Sequence, residues 1–156
     1  MNKLVNKLTK GDVAIGGLMS ALVHLVESWD PGPLSSEKAY RDSLLKFLRT
    51  AVPEDCRVER EYRHGGTTTD IFISWKGFLF SSEVFIEIKR NLQKKASFDR
   101  LIGQLEGLEP DKRKILLVLV GNIDESLLSR LKTRYAKFTS SGLFGEQMHI
   151  VVKTVS

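Results

Sequence analysis

Apolar side chains recur at helical spacing in the first third of the chain. Over about residues 12–28 they return every three or four positions, which is the pattern of a helix with one buried face. The segment DPGP at 30–33 breaks this helix, because proline and glycine do not continue one. Ser35 or Ser36 can then cap a second helix, which has an apolar stripe and reaches about residue 51.

The middle of the chain changes to strand-like segments bounded by turn residues. Three such runs span about residues 57–63, 68–75 and 83–90, and their alternation of apolar and polar positions predicts half-buried β-strands. A pair of glycines at 65–66 separates the first two runs, as in a hairpin. We therefore expect three sequential strands that form a meander.

The last third alternates between helix and strand patterns. Amphipathic helices are predicted over about residues 97–108 and 124–138. The run ILLVLV at 115–120 is apolar at every position, as expected of a strand that is covered on both faces. A final strand is predicted over about residues 147–153. This order of elements predicts an α/β fold in which helices flank a central mixed β-sheet.

Length and composition fit one globular domain. The 156 residues are 42% hydrophobic and 28% charged, which is enough for a core and excludes a disordered chain. Residues 1–34 are interpreted as an extra N-terminal helical extension of the same domain, and residues 35–156 as the α/β core. Gly16 and Gly17 each weaken the extra helix by about 1 kcal/mol relative to alanine, so packing or dimerisation must stabilise it.

The charge balance points to a polyanionic partner. A formal net charge of +5 favours nucleic acid or an acidic membrane surface. No apolar run reaches the ~18 to 20 residues that span a bilayer, so no membrane partner is expected. One cysteine and three scattered histidines provide neither an internal disulfide nor zinc-ligand spacing. These features predict a soluble, cytoplasmic protein.

The third predicted strand carries two charged side chains in an apolar setting. In VFIEIK, at 84–89, the period of two places Glu87 and Lys89 on one face and the aliphatic residues on the other. Burying charges costs several kcal/mol per ion unless they are paired or bound to a metal. Two interpretations of Glu87 and Lys89 follow: they form an ion pair at a sheet edge, or they are part of a functional site.

Asp70 lies in the preceding strand, within the β-branched and apolar run TTTDIFI. If the connection is a loop centred near Phe78 and Leu79, Asp70 falls opposite Glu87. A tight turn at 76–77 would instead place it opposite Glu83. Two carboxylates across a ladder repel unless a cation lies between them. The sequence leaves the register open.

The combination of Thr69-Asp70 with Glu87-Ile88-Lys89 resembles the motif of the PD-(D/E)-x-K nuclease superfamily, with Thr69 at the position of the proline. The resemblance implies a restriction-endonuclease-like fold and Mg²⁺-dependent hydrolysis of phosphodiester bonds, with Mn²⁺ as a substitute. It also implies that Asp70, Glu87 and the backbone carbonyl of Ile88 hold the metal. Lys89 would orient the nucleophile or stabilise the transition state.

Two further residues match positions that many members of this superfamily use. Glu37, in the helix before the meander, could reach a second metal ion or a metal-bound water. Gln104, in the helix after the meander, matches a glutamine often found there. Both have alternative readings, because an acid at a helix start is favoured by the helix dipole and a glutamine is common on a helix surface.

Basic residues surround the candidate catalytic strand. A solvated surface is the ordinary explanation for such residues, but beside a phosphate-cleaving site they are candidates for backbone contacts. The predicted nucleic-acid-binding residues are Arg63, His64, Lys76, Arg90, Lys94, Lys95 and Arg100.

These features lead to a small metal-dependent nuclease, acting on DNA rather than RNA, with restriction, repair and junction-resolving roles all open. A nucleic-acid-binding module without catalysis is the first alternative, and a nuclease subunit that needs a partner is the second. A homodimer is expected, because two active sites can cut both strands of a duplex and a two-fold dimer is the commonest assembly.

Overall fold

The computed structural model describes residues 8–10, 13, 17–77, 81–139 and 146–154. In this part of the chain, helices and strands follow one another in the predicted order. They are α1 (Leu18–Ser28), α2 (Glu37–Ala51), β1 (Cys56–His64), β2 (Thr67–Lys76), β3 (Ser81–Arg90), α3 (Lys95–Gly107), β4 (Ile115–Val120), α4 (Glu125–Arg134), α5 (Ala136–Thr139) and β5 (Met148–Lys153).

The described strands form one five-stranded sheet in the order β1-β2-β3-β4-β5. The β1–β2 and β2–β3 pairs are antiparallel, whereas β3–β4 and β4–β5 are parallel. Two clusters of buried apolar residues cover the sheet, one with side chains of α1 and α2 and the other with side chains of α3 and α4. The predicted fold class, a central mixed sheet flanked by helices, is therefore confirmed.

The alternation of β3 decides what each face of the sheet receives. Ile86 and Ile88 belong to the cluster that includes α1 and α2, whereas Phe85 belongs to the cluster with α3 and α4. Every residue of β4 is buried, as predicted for a strand that is covered on both faces. Glu87 has the same parity as Phe85, so its side chain projects toward the α3 face.

Helix α1 is stabilised within its own chain. Its six buried apolar residues contribute to the core shared with α2 and the sheet. The Lys153 ammonium donates hydrogen bonds to the carbonyls of Val26 and Glu27, at 3.1 and 2.8 Å, in the last turn of the helix, where carbonyls lack their regular helical partners. The helix begins at Leu18; the earlier start predicted at about residue 12 falls largely outside the described residues. None of the helices in the described part of the chain has the length and apolar character needed to cross a bilayer.

The helix predicted to run to about residue 138 is interrupted. Helix α4 ends at Arg134, and Tyr135 leaves the helical conformation with φ −105° and ψ 16°. The Tyr135 hydroxyl donates a hydrogen bond to Glu106 of α3 at 2.9 Å, and its ring is buried. A tertiary contact therefore overrides the helical pattern at this point.

The register between β2 and β3 decides whether Asp70 lies opposite Glu87 or opposite Glu83. Lys76 pairs with Ser81, and Ser74 pairs with Glu83, so the connection is a loop rather than a tight turn at 76–77. The loop residues 78–80 lie outside the described residues. Ile71 pairs with Ile86, and one further step along both strands brings Asp70 level with Glu87. The placement of Asp70 opposite Glu83 is wrong.

The β1–β2 hairpin leaves the sheet where Asp70 is reached. The β2–β3 ladder ends at the Ile71–Ile86 pair, while β1 and β2 remain paired as far as His64 and Thr67. The tip of the hairpin contacts the end of α3, since the Thr67 hydroxyl donates to the Gly107 carbonyl at 3.2 Å. The hairpin is therefore bent toward α3, and the bend lies at the candidate catalytic residues.

We expect Gly121→Ala to destabilise the protein by about 1–3 kcal/mol, from backbone strain and a displaced neighbour. Gly121 has φ +81°, and a Cβ there would collide with Oδ1 of Asn91. That same oxygen accepts the amide of Asn122 at 2.9 Å and ties the end of β3 to the end of β4. Gly103→Ala is the control, because no neighbouring group in the described part of the chain lies within 4 Å of its added Cβ and alanine stabilises a helix by about 1 kcal/mol relative to glycine. Urea unfolding of both variants measures the difference; equal stabilities would contradict this account.

Candidate active site

Asp70 and Glu87 lie side by side on neighbouring strands. One Asp70 carboxylate oxygen, Oδ2, accepts the backbone amide of Ile88 at 2.8 Å. Because the ladder has ended at this point, the side chain of Asp70 takes the place of a backbone acceptor. Glu87 is only 4% exposed, and its carboxyl group is within hydrogen-bonding reach of that of Asp70. The pairing predicted from sequence is present.

Burial and mutual repulsion disfavour ionisation of this pair. Burial is the main cause that raises the pKa of Glu87, and the negative charge of Asp70 adds to it, so that the pKa reaches about 8. Burial also raises the pKa of Asp70, although the hydrogen bond from Ile88 opposes the shift. The pair therefore retains a proton near neutral pH when no cation is present.

One carboxylate oxygen of the pair lacks a hydrogen-bond partner among the residues that the structure describes. Glu87 Oε1 is fully buried and accepts no hydrogen bond within the described part of the chain, which is costly for a carboxylate. No group of three or more Asp, Glu, His or Cys side chains among the described residues could hold a metal ion. The donors that Asp70 and Glu87 offer are two carboxylates, and Mg²⁺ commonly uses one or two of these with water and substrate phosphate. The pair fits a hard divalent cation.

Thr69, at the position of the motif's proline, is fully buried. Its hydroxyl donates to the backbone carbonyl of Ile86 at 3.1 Å. The side chain thus satisfies an acceptor where the regular ladder stops. A threonine at this position therefore helps the two strands to separate next to Asp70.

Lys89 and Glu37 meet at the end of β3. Glu37, the first residue of α2, accepts the backbone amide of Arg90 at 3.0 Å. The same oxygen lies 3.8 Å from Nζ of Lys89. The charge of Glu37 also adds to the effect of burial in raising the pKa of Asp70. Glu37 is therefore close enough to Asp70 to belong to the same site. In this arrangement Glu37 holds Lys89 and the end of β3, while its role toward a second metal stays a prediction.

Gln104 lies beside the strand that carries Asp70. Its side-chain amide donates to the Thr68 carbonyl at 2.7 Å, and so helps to hold the bent hairpin against α3. The structure therefore brings Gln104 to the border of the site with its amide nitrogen engaged by the backbone. The carbonyl of Ile88, whose amide binds Asp70, stays a predicted metal ligand.

Three of the predicted nucleic-acid-binding residues lie near the ends of the strands that form the site. Arg90 follows Lys89 at the end of β3, and Arg63 is exposed on β1, opposite Thr68. Lys94 is exposed directly before α3. All three therefore lie toward the end of the sheet at which β3 ends and the β1–β2 hairpin turns.

The other four predicted nucleic-acid-binding residues are paired, exposed on a helix, half-buried or distant from the site. Lys95 forms an ion pair with Asp99 at 2.8 Å, and Arg100 is exposed on the same helix. His64 is hydrogen-bonded to Arg113 and half-buried. Lys76 lies at the opposite end of β2, six residues or roughly 20 Å from Asp70 at the usual rise of a strand. The structure does not bring Lys76 to the site.

Sequence reasoning missed Arg41 and Glu61. Arg41 is 9% exposed, and its Nη1 lies 2.6 Å from Oε1 of Glu61. Burial raises the pKa of Asp70, and the positive charge of Arg41 opposes this rise, which places Arg41 at the site. One signal was available, because Arg41 is four residues after Glu37 and therefore on the same face of α2.

The chain matches no protein-family model and no curated protein. Among solved structures it is similar to that of Pyrococcus furiosus SfsA in complex with Ca²⁺, with 18% sequence identity and a TM-score of 0.40. The similarity covers 75% of this chain and 56% of the SfsA chain, so the match spans little more than half the length of that protein.

Proposed function

We propose that this protein is a metal-dependent nuclease of the PD-(D/E)-x-K type, which hydrolyses phosphodiester bonds in DNA rather than RNA. The observation that carries the proposal is the pair of Asp70 and Glu87, adjacent on two separating strands, with one buried carboxylate oxygen that has no hydrogen-bond partner among the described residues. A structural ion pair does not explain this arrangement, because both groups are acids. A cation between them does.

The surrounding residues support the same chemistry. Asp70, Glu87 and the carbonyl of Ile88 would hold Mg²⁺ or Mn²⁺, which when bound supplies an acidified water and neutralises phosphoryl charge. Lys89, two residues after Glu87 on the same face, offers a compact positive charge that can orient a water or a phosphate oxygen. Glu37 holds the end of β3 through the Arg90 amide.

The charge of the chain supports a nucleic-acid substrate. The net charge is +5, and Lys89, Arg90 and Lys94 are close in sequence to the acidic pair. Cations at such positions bind phosphates without reading sequence. We therefore expect DNA affinity that falls steeply with salt concentration.

The test is cleavage of supercoiled, linear, single-stranded and branched DNA, and of RNA, each with Mg²⁺, Mn²⁺ or EDTA. We expect metal-dependent cleavage of DNA. In Lys89→Met the rate should fall by about 10²-fold, because one electrostatic contact to the reacting group is lost. Lys46→Met is the control: it removes the same charge from an exposed position of α2 and should retain the parent's rate.

The remaining outcomes separate the alternatives. Salt-sensitive DNA binding without cleavage, and unaffected by EDTA, would favour a non-catalytic nucleic-acid-binding module. Cleavage that appears only on addition of a second protein would favour a nuclease subunit. The homodimer stays a proposal, tested by sizing in solution; the buried residues of α1 already pack within their own chain, so this helix does not argue for it.

A further inference from the structure

The hairpin bends at a row of three acids. Register places Glu61 of β1, Asp70 of β2 and Glu87 of β3 next to one another across the sheet. Glu61 has φ +51°, a left-handed conformation that is uncommon for a residue other than glycine, asparagine or aspartate. Backbone strain of this kind clusters at functional sites when the surroundings enforce it.

The surroundings that act on Glu61 come from α2. The Arg41 guanidinium is buried and binds the Glu61 carboxylate through Nη1 at 2.6 Å. Its Nε and Nη2 bind Asp42 Oδ1 at 3.3 and 3.2 Å, which fixes the guanidinium plane. The Glu61 side chain itself is 53% exposed, so Glu61 is held by this ion pair rather than by burial.

The bend has a direct consequence for Asp70. If the β2–β3 ladder continued beyond Ile71 and Ile86, the amide of Ile88 would face the backbone of Thr69. Instead, that amide binds the Asp70 carboxylate, which orients Asp70 toward Glu87. Straightening the hairpin would restore the backbone pairing and remove this contact.

We propose that the Arg41–Glu61 ion pair is a positioning device that keeps the hairpin bent and thereby holds the Asp70 carboxylate beside Glu87. The inference rests on the proposed function, since it concerns the same site. Arg41 and Glu61 are positioning residues, because they act through the backbone of Glu61 and not on the substrate. The device joins α2, which also carries Glu37, to β1, the strand that pairs with the Asp70 strand.

The test compares Glu61→Ala with Glu61→Gly. Both remove the carboxylate, but only glycine adopts a left-handed conformation without a steric cost. We expect Glu61→Ala to lower kcat by about 100-fold, the effect of a displacement of roughly 1 Å, with KM for DNA unchanged. Mn²⁺ affinity, measured by calorimetry, should fall in parallel, and Glu61→Gly should recover most of both losses. Arg41→Gln should resemble Glu61→Ala and be rescued by the added Glu61→Gly change.

The control is Arg57→Gln, which breaks an ion pair with Glu59 on the same strand and should leave both measurements unchanged. Circular dichroism confirms that each variant is folded at the assay temperature. Parent-like kcat and Mn²⁺ affinity in Glu61→Ala, or equal losses in the alanine and glycine variants, would overturn the inference. If the parent binds Mn²⁺ but does not cleave, the proposed function fails, and calorimetry alone decides between the variants. If the parent neither binds Mn²⁺ nor cleaves DNA, both the proposed function and this inference are overturned.

Discussion

Replacing Glu87 by glutamine should abolish nuclease activity and stabilise the protein. The substitution keeps the shape of the side chain but removes a carboxylate that we propose as a metal ligand, so we expect cleavage to fall by at least about 10²-fold. The glutamine amide can donate to Asp70 without a proton, whereas Glu87 must keep near neutral pH a proton that it loses in the unfolded chain, because its pKa is raised to about 8. At neutral pH the free energy of unfolding without metal should therefore rise by about 1 to 3 kcal/mol. Cleavage assays and urea unfolding of the same preparation measure the two effects.

Opposite effects on activity and stability distinguish a functional acid from a structural one. The matched control is Glu83→Gln, which removes the same charge from an exposed position of the same strand and should change neither property. A Glu87→Gln variant that loses stability would show that the carboxylate is needed for folding. One that remains fully active would show that Glu87 is not a metal ligand.

The position of the acidic pair could be predicted because it depends on simple geometry. The period of two in β3 places Glu87 and Lys89 on one face, and the structure follows it. The register needed one more fact, the length of the β2–β3 connection. A loop centred near residues 78 and 79 places Asp70 opposite Glu87, and the observed Lys76–Ser81 pair agrees with it.

The bend could not be predicted because it depends on contacts between distant elements. Nothing in the local sequence CRVEREYRH indicates that Glu61 leaves the strand conformation. Its φ of +51° accompanies an ion pair with Arg41, which lies twenty residues earlier in a helix. The end of α4 at Tyr135 has the same origin, since its hydroxyl reaches Glu106 on another helix. Local patterns give the elements, whereas interruptions come from tertiary partners.

In the absence of metal, the stability of the parent should decrease as the pH rises from about 4.5 to about 8. In the folded state the pKa of Glu87 is raised from its ordinary value of 4.5 to about 8. Below this window Glu87 is protonated in both the folded and the unfolded chain, so the stability is fully present. Within it the unfolded chain ionises while the folded chain keeps its proton, and the contribution of Glu87 falls by up to about 1.4 kcal/mol per pH unit.

Divalent metal should oppose this decrease, because ligands bind metal only after losing their protons. Thermal unfolding across this pH range, with EDTA or with millimolar Mg²⁺, should give curves that diverge as the pH rises, since a ligand stabilises the state that binds it. Glu87→Gln removes the titrating group and should flatten the EDTA curve while the rest of the chain titrates as before. Equal slopes in parent and variant would contradict a buried, proton-sharing pair. If the EDTA and Mg²⁺ curves diverge in the parent but not in Glu87→Gln, the metal acts through Glu87. The carboxylate whose burial destabilises the metal-free fold would then be the one that binds the cation.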